Sequence, residues 1–427
     1  MAASLFLAPP TADTDELSAK FQPVFDRIAE GNVERERDRV FPHDQVRWLI
    51  EAGFARLRIP VERGGLGASL QQTFGLLADL GAADANVSHV WRNHLAFVED
   101  RLNASRTPGN ERWLGRLLAG EFVGGGWTEA NNGTLDDIKT HLSQTDGRWE
   151  ITGAKFYATG SLYADWLDVL GAGPDGTPLT ALVRVNQPGV QLTDDWPGFG
   201  QRTTASGSAS YDHAEVDPDG LIPLAERNPY LGPFYQIAML AVLAGIAAAT
   251  LHDGIAALRQ RKRNYRHALA KVPTDDPQLL QVLGRVSALS FGARAALDHA
   301  SSSLDRVVAT RIAGDDSVLR DRLIEANIAS SQAQIVIIDA ALEAATIVFD
   351  ALGASGVSDV LGIDRHWRNA RTLASHNPRI YKERLIGDWL VNGADPIAAQ
   401  AGRSAGSGGT PVAGAPTPPA AVNVQGS

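Results

Sequence analysis

The chain has 427 residues, 44% hydrophobic and 21% charged, so it can bury a sizeable core and is not a disordered polymer. Its 39 basic and 49 acidic side chains leave a net charge of −10, which argues against gripping nucleic acid or an anionic membrane surface. The lack of cysteine excludes disulfides, thiolate metal sites, iron–sulfur clusters and a cysteine nucleophile.

In chain order, residues 1–120 read as a helical domain. The apolar run at residues 4–8 is too short for a signal peptide and has no basic residue before it. Leu17, Phe21, Val24, Phe25 and Ile28 recur at helical spacing, as do Val46, Leu49, Ile50 and Phe54. The glycine-rich stretch 60–67 breaks the pattern as a loop, and the helical period resumes from Leu70 to Leu80. Asp84 is placed to cap a helix carrying Val87, Val90, Trp91, His94 and Leu95. From 121 to 231 the chain breaks into short strand-like pieces, among them 149–152, 166–170 and 181–185, which predicts a β domain of six to eight strands. Residues 232–401 return to long helices, near 234–264, 276–311 and 317–351 with a shorter pair after 363, as in an antiparallel bundle. The apolar run 237–250 is shorter than the roughly 20 residues that span a bilayer. Residues 402–427, made of Gly, Ser, Ala, Pro and Thr without period, read as a flexible tail. The expected fold class is α+β, in the order helical domain, β domain, helical bundle, in a soluble cytoplasmic protein.

The ten histidines offer no metal site. His89 and His94 are five apart, about 140° around a helix, whereas metal pairs use spacings of three or four. No Gly-x-Ser-x-Gly, P-loop or Gly-x-Gly-x-x-Gly follows a strand, which disfavours a serine hydrolase, phosphoryl transfer and a Rossmann site. Three small-polar segments remain, at 127–134, 153–161 and 198–208. Their hydroxyls, amides and aromatics suit a flat heteroaromatic ring bearing a phosphate, or equally the polar turns of a sandwich.

Taken in order, the segments resemble the acyl-CoA dehydrogenase superfamily over most of the chain. Thr128-Glu129 with the Asn-Gly stretch from Asn131 is similar to the first flavin loop. Gly153-x-Lys155-x-x-x-Thr159-Gly160 is similar to the second, and Gly200-x-Arg202-x-Thr204 with Ser208 to the third. The pieces 352–356 and Arg365-x-Trp367-Arg368-Asn369-Ala370-Arg371 resemble the pattern that closes the site. The resemblance implies flavin contacts from Thr128, Asn131, Thr159, Gly160, Arg202, Thr204 and Ser208. Arg202 stands either as a phosphate contact or as a surface strand charge. Dehydrogenases of this superfamily use a glutamate base, commonly in a Tyr-Glu-Gly-Thr context. Here Tyr381-Lys382-Glu383 stands there, with Lys382 at the base position and grouped with the cofactor contacts.

That departure is closer to the flavin-dependent monooxygenase branch, the dibenzothiophene monooxygenase and sulfur-acquisition group. Ser88-His89-Val90 and Ser375-His376-Asn377-Pro378 resemble its two histidine segments. The resemblance implies His376 and His89 as catalytic groups; a satisfied helix histidine is the alternative for His89. Asn93, His94, Gly125 and Trp196 become candidate pocket residues, His94 with core packing as its default. Asn93 stands where that group has a tyrosine and Gly125 where it has an asparagine. The implied chemistry is two-component: an NAD(P)H-dependent reductase supplies reduced FMN (FAD is the alternative), and a peroxyflavin formed with O₂ oxygenates a small apolar, sulfur-containing or aromatic substrate. A histidine can manage the peroxide proton near neutral pH. Assembly as a homotetramer through the bundle is expected, with neither nucleic acid nor membrane as partner. An acyl-CoA dehydrogenase, an aromatic hydroxylase of the same fold and a non-enzymatic scaffold are the alternatives.

Overall fold

The computed structural model describes residues 5–129 and 138–398. Asn131 and the tail 402–427 lie outside the described residues. The N-terminal helices are α1 (Thr14–Ala29), α2 (Asn32–Asp38), α3 (His43–Ala52), α4 (Leu70–Ala83), α5 (Ala85–Leu102) and α6 (Pro108–Leu118). Local signals set their ends. Ser69 and Gln72 close a capping box on α4, and the Asp84 carboxylate accepts from the backbone N–H groups of Asn86 and Val87 at the start of α5.

Seven strands follow: β1 (Val123–Gly126), β2 (His141–Thr145), β3 (Arg148–Lys155), β4 (Trp166–Ala172), β5 (Pro178–Arg184), β6 (Val190–Thr193) and β7 (Ser208–Pro223). They run in the order β1-β4-β2-β3-β7-β5, with β6 beside β7. Because β4 also pairs along its whole length with β5, the path closes on itself into a small barrel with its own apolar core around Ile151, Val169, Val183 and Ala214. The short β1 hangs parallel on β4 and carries the chain from the helices onto the barrel.

The C-terminal helices are α7 (Leu231–Gln260), α8 (Pro277–Ala313), α9 (Asp316–Leu352), α10 (Asp364–Ala374) and α11 (Ile380–Asn392). The central helix α7 is by length and composition the one described helix that could cross a membrane, but 83% of its most apolar window is buried inside the protein. It is apolar on all sides because α4, α5, α8 and α9 surround it, so the N-terminal helices and the bundle share one core. At the crossing of α4 and α7 a Cβ on Gly81 would sit 3.3 Å from the Val242 backbone, so the two helices meet at a distance only small residues allow.

A buried ionic network ties the barrel to this core. Arg227, just after β7, bonds Asp100 of α5 at 2.9 Å and also pairs with Asp168 of β4. Arg58 and the Tyr230 hydroxyl both donate to Glu99 on α5, at 2.8 and 2.6 Å. Removing one member would strand a buried charge, so the angle between α5 and the barrel is firmly held.

Candidate active site

A cavity of about 650 Å³ lies where α5, the barrel rim and the bundle converge. Its barrel wall is built from Gly125 and Gly126 of β1, Trp127 and Thr128 beyond it, Tyr157 and Thr159 after β3, and the β6–β7 connection carrying Trp196, Gln201 and Ser206. Its helix wall is built from His89, Arg92 and Asn93 of α5, Tyr235 and Met239 of α7, and Leu373, His376 and Asn377 at the end of α10. Spacings of three and four put His89, Arg92 and Asn93 on one face of α5. His376 is held just past α10, its N–H bonded to the Leu373 carbonyl at 3.1 Å, two residues before Pro378.

Both histidines of the cavity are neutral. Burial, and then the Arg92 charge, hold His89 down at about 3. Its Nδ1 lies 3.0 Å from Gln201 Oε1, so with that oxygen facing the ring Nδ1 carries the proton and Nε2 is left without a protein partner. His376 is reached by solvent, yet it sits in the concave wall where protein replaces most bulk water. That desolvation, then the charge of Arg92, push it well below its ordinary value. Arg92 Nη1 lies 3.3 Å from His376 Nε2. Because a guanidinium can only donate, Nε2 accepts and the proton resides on Nδ1.

The loop holding Gln201 is anchored by a relay. Gln201 takes a positive φ of 54°, and its N–H donates to Asn369 Oδ1 at 2.6 Å. Asn369 Nδ2 donates to Glu36 Oε2 at 2.7 Å, and Arg368 pairs with the other oxygen at 3.2 Å. Asn86 Nδ2 also donates to Glu36, while its side-chain Oδ1 accepts from the Thr203 N–H. Burial raises the Glu36 carboxyl above its usual range against the pull of Asn369 and Arg368. Opposite, Thr159 and Ser206 hydroxyls meet at 2.8 Å, Thr204 bonds Ser206 at 2.7 Å, and the Gly160 N–H, at a φ of 85°, donates to the Thr204 carbonyl. Under Trp127 and Thr128, the buried Lys155 ammonium binds Glu129 at 2.6 Å.

Residues 14–121 match the acyl-CoA dehydrogenase N-terminal domain, and residues 237–378 match the acyl-CoA dehydrogenase C-terminal domain. The chain belongs to the acyl-CoA dehydrogenase family. Within it, dibenzothiophene monooxygenase from Rhodococcus erythropolis is 28% identical over 82% of this chain and 87% of that protein. The crystal structure of FMN-bound TdsC from Paenibacillus sp. A11-2 superposes with a TM-score of 0.81 at 26% identity, covering 89% of this chain and 98% of that one. Methanesulfinate monooxygenase MsuC from Pseudomonas fluorescens gives a TM-score of 0.80 at 25% identity, covering 88% and 97%.

Of the candidate residues singled out in the sequence, the structure brings His376, His89, Asn93, Gly125, Trp196, Thr128 and Thr159 to one cavity. Other residues lie elsewhere. His94 is a core residue: its Nδ1 accepts from the Val123 N–H at 3.2 Å, its Nε2 bonds the Ala55 carbonyl at 3.1 Å, and it stacks on Phe122. Burial holds it neutral, at about 4. Arg202 turns to the carbonyls of Glu36 and Arg37 in the last turn of α2, where a cation meets the negative end of the helix. Thr204 and Gly160 join the two loops behind the wall, and Ser208 bonds Asp195 at 2.7 Å, outside the cavity lining. Lys382 sits in the first turn of α11 and does not line the cavity either. Sequence reasoning missed Arg92, Tyr235, Gln201 and Ser206. Arg92 was within reach, since a cation one helical turn after a candidate catalytic histidine faces the same way.

Proposed function

We propose that this chain is the oxygenase of a two-component system. It takes reduced FMN from a separate NAD(P)H-dependent flavin reductase and uses O₂ to oxygenate a small sulfur-containing or aromatic substrate. The observation that carries this reading is the acid–base content of the cavity. Among the described residues it is lined by two neutral imidazoles and by no Asp or Glu. The glutamate base expected of a dehydrogenase of this fold, which takes the proton alpha to an acyl thioester, has no counterpart among the described lining residues.

The cavity's donor set fits a flavin. The barrel wall offers the hydroxyls of Thr128, Thr159 and Ser206 and the ring faces of Tyr157 and Trp196, which would hold a planar polar-edged ring. FMN rather than FAD is supported by the FMN-bound relative. When bound, reduced flavin supplies the electrons that activate O₂. The residues of this chain do the rest. Trp127, Trp196, Tyr235, Met239 and Leu373 displace water from the cleft. His376 Nδ1–H is a donor for an oxygen atom, and the His89 Nε2 lone pair is an acceptor for a proton. The Gln201 bond fixes which nitrogen of His89 plays that part. A cytoplasmic homotetramer completes the proposal. The exposed apolar side chains Phe291 of α8 and Leu390 and Val391 of α11 support burial of the bundle's outer face in an assembly.

Anaerobic loading with reduced FMN, followed by O₂ and benzothiophene or indole as probe substrates, tests the reading. Oxygenated product should form, and His376→Ala should divert O₂ to hydrogen peroxide, with product yield falling about 10²–10⁴-fold while reduced-FMN binding persists. Reduction of a bound FAD by an acyl-CoA would instead establish a dehydrogenase.

A further inference from the structure

Arg92 is the one charged group among the described residues lining the cavity, and it has no counter-ion there. None of the ion pairs of the described residues includes it. Burial is the main influence on its guanidinium, lowering its proton affinity. The Tyr235 hydroxyl opposes this, and no carboxylate contributes. Its Nε is buried without a partner. Two contacts offset part of the cost: the cation lies over the Tyr235 ring, 4.6 Å from its centroid, and Nη1 bonds His376. Of its five guanidinium N–H donors, one is used among the described residues. The fully buried arginines among the described residues are matched, whereas Arg92 is half-buried. Arg58 has Glu99, and Arg227 has Asp100 and Asp168. Although half-buried, Arg92 has an enclosed Nε and no carboxylate facing it, so an anion entering the cleft would supply the missing partner.

We propose that Arg92 determines specificity by binding an oxyanion, a carboxylate or sulfinate, carried on an otherwise apolar substrate. The proposal rests on the reading of the cavity as a flavin and substrate site. The planar fork of the guanidinium suits a two-oxygen anion. Met239 and Leu373 on the same wall offer an apolar surface for the body of such a molecule. The FMN phosphate is the other possible anion. It sits at the far end of the ribityl chain from the reacting ring, whereas Arg92 touches His376, beside the reacting atoms. An anion at the reacting end is therefore not the phosphate, and titration with oxidised FMN, whose ring is neutral, separates a substrate anion from the anionic reduced ring.

Calorimetric titration with benzenesulfinate and with neutral methyl phenyl sulfone, in the presence of oxidised FMN, tests this without turnover. Wild type should bind the sulfinate about tenfold or more tightly than the sulfone. Arg92→Met should weaken the sulfinate by roughly ten- to a hundredfold, the worth of a charge-assisted bond, and leave the sulfone within about twofold. Arg92→Lys should recover part of the loss, as charge without the fork. Sulfone binding serves as the control for folding. Equal affinities in wild type, no sulfinate binding, or a loss shared by both ligands would overturn the proposal. So would weaker FMN binding with riboflavin binding unchanged in Arg92→Met, which would assign the arginine to the cofactor phosphate. Failure of oxygen transfer by wild type with reduced FMN would instead count against the oxygenase reading, because these titrations need no oxygen.

Discussion

The pair Asn93 and Gly125 gives a sharp test of how the cavity is built. Asn93 Nδ2 donates to the Thr159 carbonyl at 3.0 Å, linking α5 to the loop after β3. A Cβ placed on Gly125 would lie 2.6 Å from that nitrogen and 2.7 Å from Asn93 Cγ. Gly125 is not among the residues with positive φ, so alanine is acceptable to the backbone and the cost is local. Gly125→Ala must turn the amide away. The lost bond is worth about 0.5–1.5 kcal/mol and the overpacking about 1 kcal/mol, at the low end because a side chain yields more easily than backbone. Reduced freedom of the unfolded chain returns roughly 0.5 kcal/mol. The single variant should therefore lose about 1–2 kcal/mol. Asn93→Ala should lose about 1 kcal/mol, since it removes the bond without a clash. In the double variant the amide is gone, so the clash is gone too. Its loss should stay near 1 kcal/mol instead of the sum. Urea unfolding followed by tryptophan fluorescence measures all three. Additivity within about 0.5 kcal/mol would refute direct packing of the two positions.

Three further outcomes follow from the same geometry. Burial tends to raise the Glu129 carboxyl, but Lys155 and the N–H groups of Thr140 and Lys139 outweigh it and hold it at about 2. A depressed folded value stabilises above the ordinary 4.5 and fades as pH falls toward 2, so the stability gap between wild type and Glu129→Gln, measured by urea midpoints, should narrow by about 1 kcal/mol from pH 7 to pH 4. Arg202→Ala should cost roughly 1 kcal/mol of stability through the end of α2 and leave the ratio of FMN to riboflavin affinity unchanged; a selective loss of FMN would restore the phosphate role. Gln201→Leu should lower oxygenated product roughly ten- to a hundredfold while sparing reduced-FMN binding, because the His89 ring loses the acceptor that orients it; undiminished product yield would release His89 from the mechanism.

The fold was legible where the pattern was local. The period of Leu70 to Leu80, the cap at Asp84 and the long apolar helices each depend on residues within a few positions of one another, and the structure places α4, α5, α8 and α9 there with ends shifted by a few residues. Barrel closure was not legible, because the pairing of β2 with β4 and of β5 with β7 joins segments that no spacing relates. The site divided in the same way. His89, Thr159 and His376 stood out through motifs. Arg202 and Ser208 carried the motif pattern as well, but the structure turns them to α2 and to Asp195, because a loop with positive φ at Gln201 and Ala205 alternates its side chains between cavity and exterior. Gln201 itself was hidden, since its partners His89 and Asn369 are 112 and 168 residues away.

The same fold can serve opposite chemistry because the sign of the charge in the cleft is set by few side chains. A glutamate base that takes a proton from carbon must stay ionised in a desolvated site. Here the lining carries a cation at Arg92 and two imidazoles whose protonation that cation suppresses, His89 and His376 both feeling it. An anionic base would be neutralised by Arg92, and an added proton would be repelled. What this arrangement favours is a neutral donor and a neutral acceptor facing a species that gains negative charge during reaction, which is what reduction of O₂ generates. Burial in α5 keeps His89 neutral, desolvation by the concave wall does the same for His376, and the Glu36–Asn369–Gln201 relay orients His89. On the proposed reading the chemistry is carried by the helix wall, while the barrel wall offers the hydroxyls and aromatic rings expected of a flavin seat. On the same reading, loss of the carboxylate alone would leave an idle dehydrogenase, and the two suppressed imidazoles beside Arg92 supply a neutral donor and acceptor for oxygen chemistry instead.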